Sequence, residues 1–135
     1  MGRRELREQI FKLLFRVEFH EKEDMPEQLV LFLEEAEEEM TEQEERYIAG
    51  KYEKIKEKLS ELDDLLNSRT EKWTTDRIGK AELTILRLAV YEILFDEEVP
   101  VGVAINEAVE LAKKFGQDSA KAFVNGVLAK FADKG

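Results

Sequence analysis

The residue types that most readily do chemistry are scarce in this chain. It has one histidine, His20, and no cysteine. A two-histidine zinc site, a thiolate nucleophile and a disulfide framework are therefore excluded. His20, alone at the end of a helical stretch, reads as a surface or capping group. There is no GxGxxG or P-loop pattern. Asp63 and Asp64 are sequence neighbours, so on a helix they point to different faces and do not converge as an acid–base pair. No catalytic residue, metal or cofactor is expected. The remaining candidates are cations. Arg3, Arg4 and Arg7 cluster at the start of the chain, with Lys12 and Arg16 further along. Guanidinium forks suit phosphate oxygens. Cations interleaved with aromatic rings suit unpaired nucleic acid, because bases stack on the rings. Lys121 and Phe123 repeat that mixture near the C-terminus. Charged helix ends are also common on proteins that bind no nucleic acid, so a solvated surface stands as the alternative.

The charge balance looks unfavourable to such a ligand until it is mapped. The 135 residues carry 21 Lys and Arg against 31 Asp and Glu, a net charge of −10. Residues 1–17 hold five cations against two acids, and residues 113–135 again five against two. Residues 18–45 hold thirteen acids against Lys22 alone. Acid concentrated in one segment, with basic ends, leaves room for a local phosphate-binding face. The acidic run from Glu34 to Glu39 reads as a solvated face. No apolar run reaches the roughly 18–20 residues that span a bilayer, and the N-terminus lacks a signal-type apolar region. A soluble, cytoplasmic protein is expected.

The elements that must position these residues are helices. Leu6, Ile10, Leu13, Leu14 and Val17 predict an amphipathic helix from about Arg3 to Phe19. A second stripe, Phe11, Phe15 and Phe19, widens its apolar face, with Phe15 at the core edge or facing a partner. Pro26 suits the first turn of a second helix whose stripe is Leu29, Phe32, Leu33, Ala36 and Met40. Thr41 and Glu44 form a capping box for a long third helix reaching about Ser68, with the seam Ile48, Tyr52, Ile55, Leu59, Leu62, Leu66. Trp73 lies in the following linker and plugs the junction between lobes, or faces a partner. From Lys80 to Phe95 the chain is apolar nearly all round and predicts a buried central helix. Two further helices follow, near Val101–Phe115 and from about Asp118 onward. Gly116 terminates the former, Asp118 or Ser119 caps the latter, and Ile105, Phe115 and Phe123 are placed on apolar faces. Gly126 reads as a point of close helix or ligand approach. No segment alternates as a strand, so the fold class is all-α.

The segments Val103-Ala104-Ile105-Asn106-Glu107-Ala108-Val109-Glu110-Leu111-Ala112-Lys113 and Phe123-Val124-Asn125-Gly126-Val127-Leu128 resemble the signature of the NusB family of bacterial transcription antitermination factors. Leu86-Arg87-Leu88-Ala89-Val90-Tyr91-Glu92, the Trp73…Asp76-Arg77-Ile78 segment and the arginine-rich start are similar to that family too. The resemblance covers essentially the whole chain. It implies one NusB-like domain over 1–135, made of two perpendicular three-helix lobes at 1–68 and 76–133, and no enzymatic activity. It implies binding to the boxA element of ribosomal RNA transcripts, as single-stranded RNA, together with the small-subunit ribosomal protein NusE and RNA polymerase. RNA contacts are carried onto Arg3, Arg4, Arg7, Lys121, Phe123 and Asn125. The NusE-facing surface is carried onto Phe15, Glu82, Asp118 and Ser119. A homodimer covering the RNA face is a further state known among such proteins.

Three departures from the family pattern predict weaker RNA binding by the chain alone, with the partner supplying the shortfall. Glu5 replaces a basic residue, Phe15 lacks a tyrosine hydroxyl, and Ala120 follows the Asp118–Ser119 turn where a serine is usual. Two other readings stand beside antitermination. One is a NusB-like RNA-binding domain detached from a ribosomal RNA cytosine methyltransferase. The other is a helical interaction module without RNA contact.

Overall fold

The protein is described from a computed structural model covering residues 1–36, 39–70 and 74–132. Among these residues the regular elements are all helical. The chain forms two compact units, Met1–Glu57 and Lys58–Gly135. The expectation for Trp73 and the centre of the acidic run, Glu37 and Glu38, lie outside the described residues.

In the first unit, α1 (Arg3–Phe15) packs on α3 (Glu42–Glu57). Ile10, Leu13 and Leu14 of α1 meet no solvent, nor do Ile48 and Ile55 of α3. The first helix ends earlier than its apolar period. At Arg16 the N–H is shared between the Leu13 and Leu14 carbonyls, and Arg16–Glu18 tighten into a 3-10 turn, the common way a helix end satisfies its last acceptors. The aromatic stripe is graded by this ending. Phe11 is 3% exposed, Phe15 half-buried and Phe19 56% exposed. The three rings still touch in sequence, stacked at 5.8 Å and edge-on at 5.0 Å between centroids.

The second helix, α2 (Met25–Glu35), carries Pro26 in its first turn as expected. Its predicted stripe is largely not core. Only Phe32 is buried, beside Met25, while Leu29 and Leu33 are half-exposed. Ala36 and Met40 fall beyond the last helical residue, Glu35. The reason is the packing of α2, whose main neighbours are the short 3-10 turns before it. Arg16 ties the segment down by donating to the Gln28 side-chain oxygen at 3.0 Å and lying 5.3 Å over the Phe32 ring.

The capping box at α3 is formed reciprocally. The Thr41 N–H donates to Glu44 Oε1 at 2.9 Å and the Glu44 N–H to Thr41 Oγ1 at 3.1 Å. The Met1 ammonium adds a 2.5 Å contact to Glu44 Oε2. That ammonium first, and the Thr41 N–H second, hold the Glu44 carboxyl below its ordinary 4.5.

The long third helix is two helices. α3 stops at Glu57, and α4 (Leu59–Arg69) begins in the second unit after Lys58, whose backbone is non-helical at φ −105°, ψ 8°. The compact units accordingly divide at 57/58, not at the 68–76 linker. No Gly or Pro marks the break, and the apolar seam runs straight through it. Packing decides it: α3 lies on α1, whereas α4 lies on α5 (Lys80–Phe95) through Leu62 and Leu66. Lys58 caps this corner with its ammonium 4.4 Å over the Phe95 ring.

α5 is buried continuously from Leu83 to Ile93, as its all-round apolarity predicts. α6 (Val101–Phe115) and α7 (Ala120–Ala132) pack on each other and on α5. Arg87 on α5 meets Asp63 on α4 in a fork, with Nε to Oδ1 and Nη2 to Oδ2 both at 2.8 Å. Asp64 is exposed, as adjacent positions on one helix require. Arg69 closes the unit from α4, donating to the Lys130 carbonyl at 3.3 Å and lying 4.7 Å over the Phe131 ring.

Two outcomes follow. Tyr52 is 1% exposed and its hydroxyl has no hydrogen-bond partner among the described residues. Burial, then the charge of Glu53, pushes its pKa up to about 12. Removing a buried, unsatisfied hydroxyl relieves a desolvation cost, so Tyr52→Phe raises unfolding stability by about 1 kcal/mol in denaturant titrations. For Glu44 the folded pKa is depressed, so its contribution is complete above its unfolded pKa and is lost as pH falls through the folded value. Acid unfolding followed by circular dichroism from pH 6 to 2 therefore shows a component that Glu44→Gln removes.

Candidate functional site

The candidate residues fall on two surfaces, one in each unit. In the first unit, Arg3 and Arg4 occupy the opening turn of α1 and are exposed. Gly2 precedes them at the N-cap and offers no side-chain cap, leaving the first N–H groups pointing outward. Cations at this positive end of a helix oppose its dipole, at a typical cost of about 0.3–1 kcal/mol each. The helix dipole therefore does not favour Arg3 and Arg4, although Glu5 in the same turn offsets part of their cost. Arg7, one turn on, is 9% exposed and is built into the unit. Phe15 stands at the rim of the core, half-buried and in ring contact with buried Phe11 on one side of the row and exposed Phe19 on the other.

In the second unit, Lys121 and Asn125 are one turn apart on one face of α7 and both exposed, while Phe123, two positions from each, is half-buried and turns toward another face of the helix. Phe123, expected on the apolar face, turns only part of its ring inward; Ile105 and Phe115 on α6 are likewise half-buried. Lys121 again sits in the first turn of a helix whose opening turn has no acid. Gly126 has open space where a Cβ would project, so no neighbouring helix explains it.

Asp118 and Ser119 lie exposed in the turn before α7. The expectation that either side chain caps α7 is not met: the turn is closed by backbone, with the Ala120 N–H donating to the Gln117 carbonyl at 2.9 Å. Gly116 ends α6 as expected, its N–H donating to the Ala112 carbonyl at 2.9 Å. It does so in extended backbone, and no described glycine has positive φ. Gly116 is required by space. A Cβ there would stand 2.5 Å from Ala120 Cβ and 2.8 Å from the Ala112 carbonyl oxygen.

Glu82 reaches the same turn from the first turn of α5. Its Oε1 lies 3.5 Å from the Cβ position of Gly116, and its Oε2 lies 2.6 Å from that of Gly79, the α5 N-cap. The structure thus brings Glu82 to the turn that carries Asp118 and Ser119. Gly79 and Gly116 were not visible as site residues in the sequence. Their only signal was glycine flanking two helix ends, which ordinarily reads as punctuation.

These arrangements can be compared with known proteins. The NusB family model matches residues 4–133. The chain belongs to the NusB family. It is 52% identical to the transcription antitermination protein NusB of Lachnoclostridium phytofermentans over 133 residues, covering 98% of this chain and 100% of that protein. The NusB of Agathobacter rectalis is also 52% identical, over 132 residues and with the same coverage. Among solved structures, T. maritima NusB superposes with a TM-score of 0.88 at 36% identity, covering 99% of this chain and 92% of that one. A structure of the antitermination factors NusB and NusE in complex with double-stranded RNA gives 0.84 at 26% identity, covering 98% and 97%. Membership accounts for the all-α fold. No helix among the described residues is long and apolar enough to cross a membrane.

Within this NusB-family chain the Gly116 turn has a definite stability consequence. Gly116→Ala forces backbone or the Ala120 methyl to move and destabilises the fold by about 1–3 kcal/mol. Thermal unfolding of that variant checks this directly.

Proposed function

We propose that this protein is a non-enzymatic, RNA-binding transcription antitermination factor of the bacterial cytoplasm. In this reading it binds boxA-type RNA of ribosomal transcripts together with the small-subunit ribosomal protein NusE, within the RNA polymerase antitermination complex. The full-length likeness to proteins named for antitermination carries the reading. The relative solved with NusE and double-stranded RNA supports the two partners. The surface chemistry supports it independently, because cations stand at two helix starts where the helix dipole disfavours them.

The roles divide by chemistry. Arg3, Arg4 and Lys121 take phosphates, and their exposed positions let them do so without unfolding anything. Arg7, buried one turn further along α1 than Arg3, shapes the start of that helix. Asn125 offers an amide for base edges and Phe123 a ring edge for stacking. Phe15, Glu82, Asp118 and Ser119 face NusE. The acidic excess elsewhere repels RNA that the cationic positions do not engage. Stacking needs unpaired bases, so the single-stranded boxA sequence outcompetes the same sequence annealed into a duplex.

The decisive experiment is capture of NusE by this protein with and without boxA RNA. RNA strengthens the capture, and NusE strengthens RNA binding by the same factor, because the coupling is reciprocal. In RNA titrations at several salt concentrations, about three neutralised phosphates give a slope of log affinity against log salt on the order of −2. Arg3→Ala combined with Arg4→Ala makes that slope shallower by about 1.4 and leaves NusE capture without RNA unchanged. A salt-independent titration would sink the proposal.

A further inference from the structure

We infer that Gly79 is a positioning residue: its missing side chain lets the Glu82 carboxylate lie against the Gly116 turn, beside Asp118 and Ser119, where it meets the protein partner. The inference deepens the NusE-facing surface proposed above and rests on that reading.

Three observations carry it. First, the backbone of Gly79 does not need glycine. Its φ of −57° and ψ of 147° are open to any residue. Its place at the N-cap of α5 does make glycine better than alanine, because an open N-cap leaves the first N–H groups accessible to water, so a positioning role rests on the space around the residue. Second, the space at Gly79 is taken by one group. The atoms near a Cβ at this position are all from the Glu82 carboxyl: Oε2 at 2.6 Å, Cδ at 3.3 Å and Oε1 at 3.8 Å. Third, the same carboxylate lies against the Gly116 turn, whose Cβ position is at contact distance, 3.5 Å, from Oε1. Gly79 thus leaves the room that the carboxylate fills beside that turn. Glu82 is half-buried, and among the described residues it has neither a hydrogen-bond nor an ion-pair partner. A carboxylate retained in a slot with its acceptor capacity unused is set up for a donor from outside the chain.

A purely local role is the competing account. A carboxylate in the first turn of α5 favours the helix dipole, and the glycine would then serve helix stability alone. The two accounts separate at Gly79→Ala. The clash falls on the far end of a flexible side chain, so the fold accommodates it while the carboxylate swings away.

The test measures binding of NusE to the full chain carrying Gly79→Ala, Glu82→Gln or both, alongside melting temperature. We expect Gly79→Ala to lower the melting temperature slightly, as the exchange of glycine for alanine at an N-cap does, and to weaken NusE binding about tenfold, the scale of one charge-assisted hydrogen bond. Glu82→Gln weakens binding similarly, and adding Gly79→Ala to it produces no further loss. Unchanged binding by Gly79→Ala overturns the inference. So does an equal further loss when Gly79→Ala is added to Glu82→Gln. A crystal structure of Gly79→Ala supplies a readout without NusE: the carboxylate leaves the Gly116 turn, and finding it still seated there refutes the inference. If the unaltered chain fails to bind NusE, the antitermination reading fails, and that crystal structure alone decides the positioning of Glu82.

Discussion

The second unit depends on the burial of α5. From Leu83 to Ile93 no residue of this helix is left in open solvent. A helix can be enclosed this way because its backbone groups are satisfied internally, leaving only polar side chains to be matched. Thr84 is matched by its own helix, donating to the Lys80 carbonyl at 2.8 Å. Arg87 is matched by the forked pair with Asp63. Leaving one member of such a partly buried pair without the other is costly, typically about 3–5 kcal/mol. The pair therefore sets where α4 sits on α5 as well as neutralising a charge. With α4, α6 and α7 all packed on α5, the start of α5 and the α6–α7 turn belong to one rigid frame. That frame brings Glu82 against Gly116.

Some of the surface chemistry departs from what the helix dipole and burial alone would choose. Arg3, Arg4 and Lys121 stand where helix dipoles favour anions. Glu82 is half-buried without an internal partner among the described residues. Phe19 is a large ring left 56% exposed at the end of an otherwise buried aromatic row. Features that weaken or fail to help the isolated fold are the ones a ligand or partner can reward.

Much of this protein was legible in order along the chain. Apolar spacing determined that it is helical throughout, that α5 is a central buried helix and that the Thr41–Glu44 capping box starts α3. These are local matters, governed by periodicity and by groups within a few residues of one another. The motifs in α6 and α7 determined the family, because a long run of matching residues carries information that no single contact does. The tertiary structure alone decided where the seam from Ile48 to Leu66 breaks, since nothing in its period distinguishes packing on α1 from packing on α5. It decided that most of the α2 stripe stays partly wet, because burial depends on what lies opposite. It also decided that Arg7 is interior while Arg3 and Arg4 are not. And it decided the need for glycine at 116, where a Cβ would meet the Ala120 methyl and the Ala112 carbonyl only once α6 and α7 have packed.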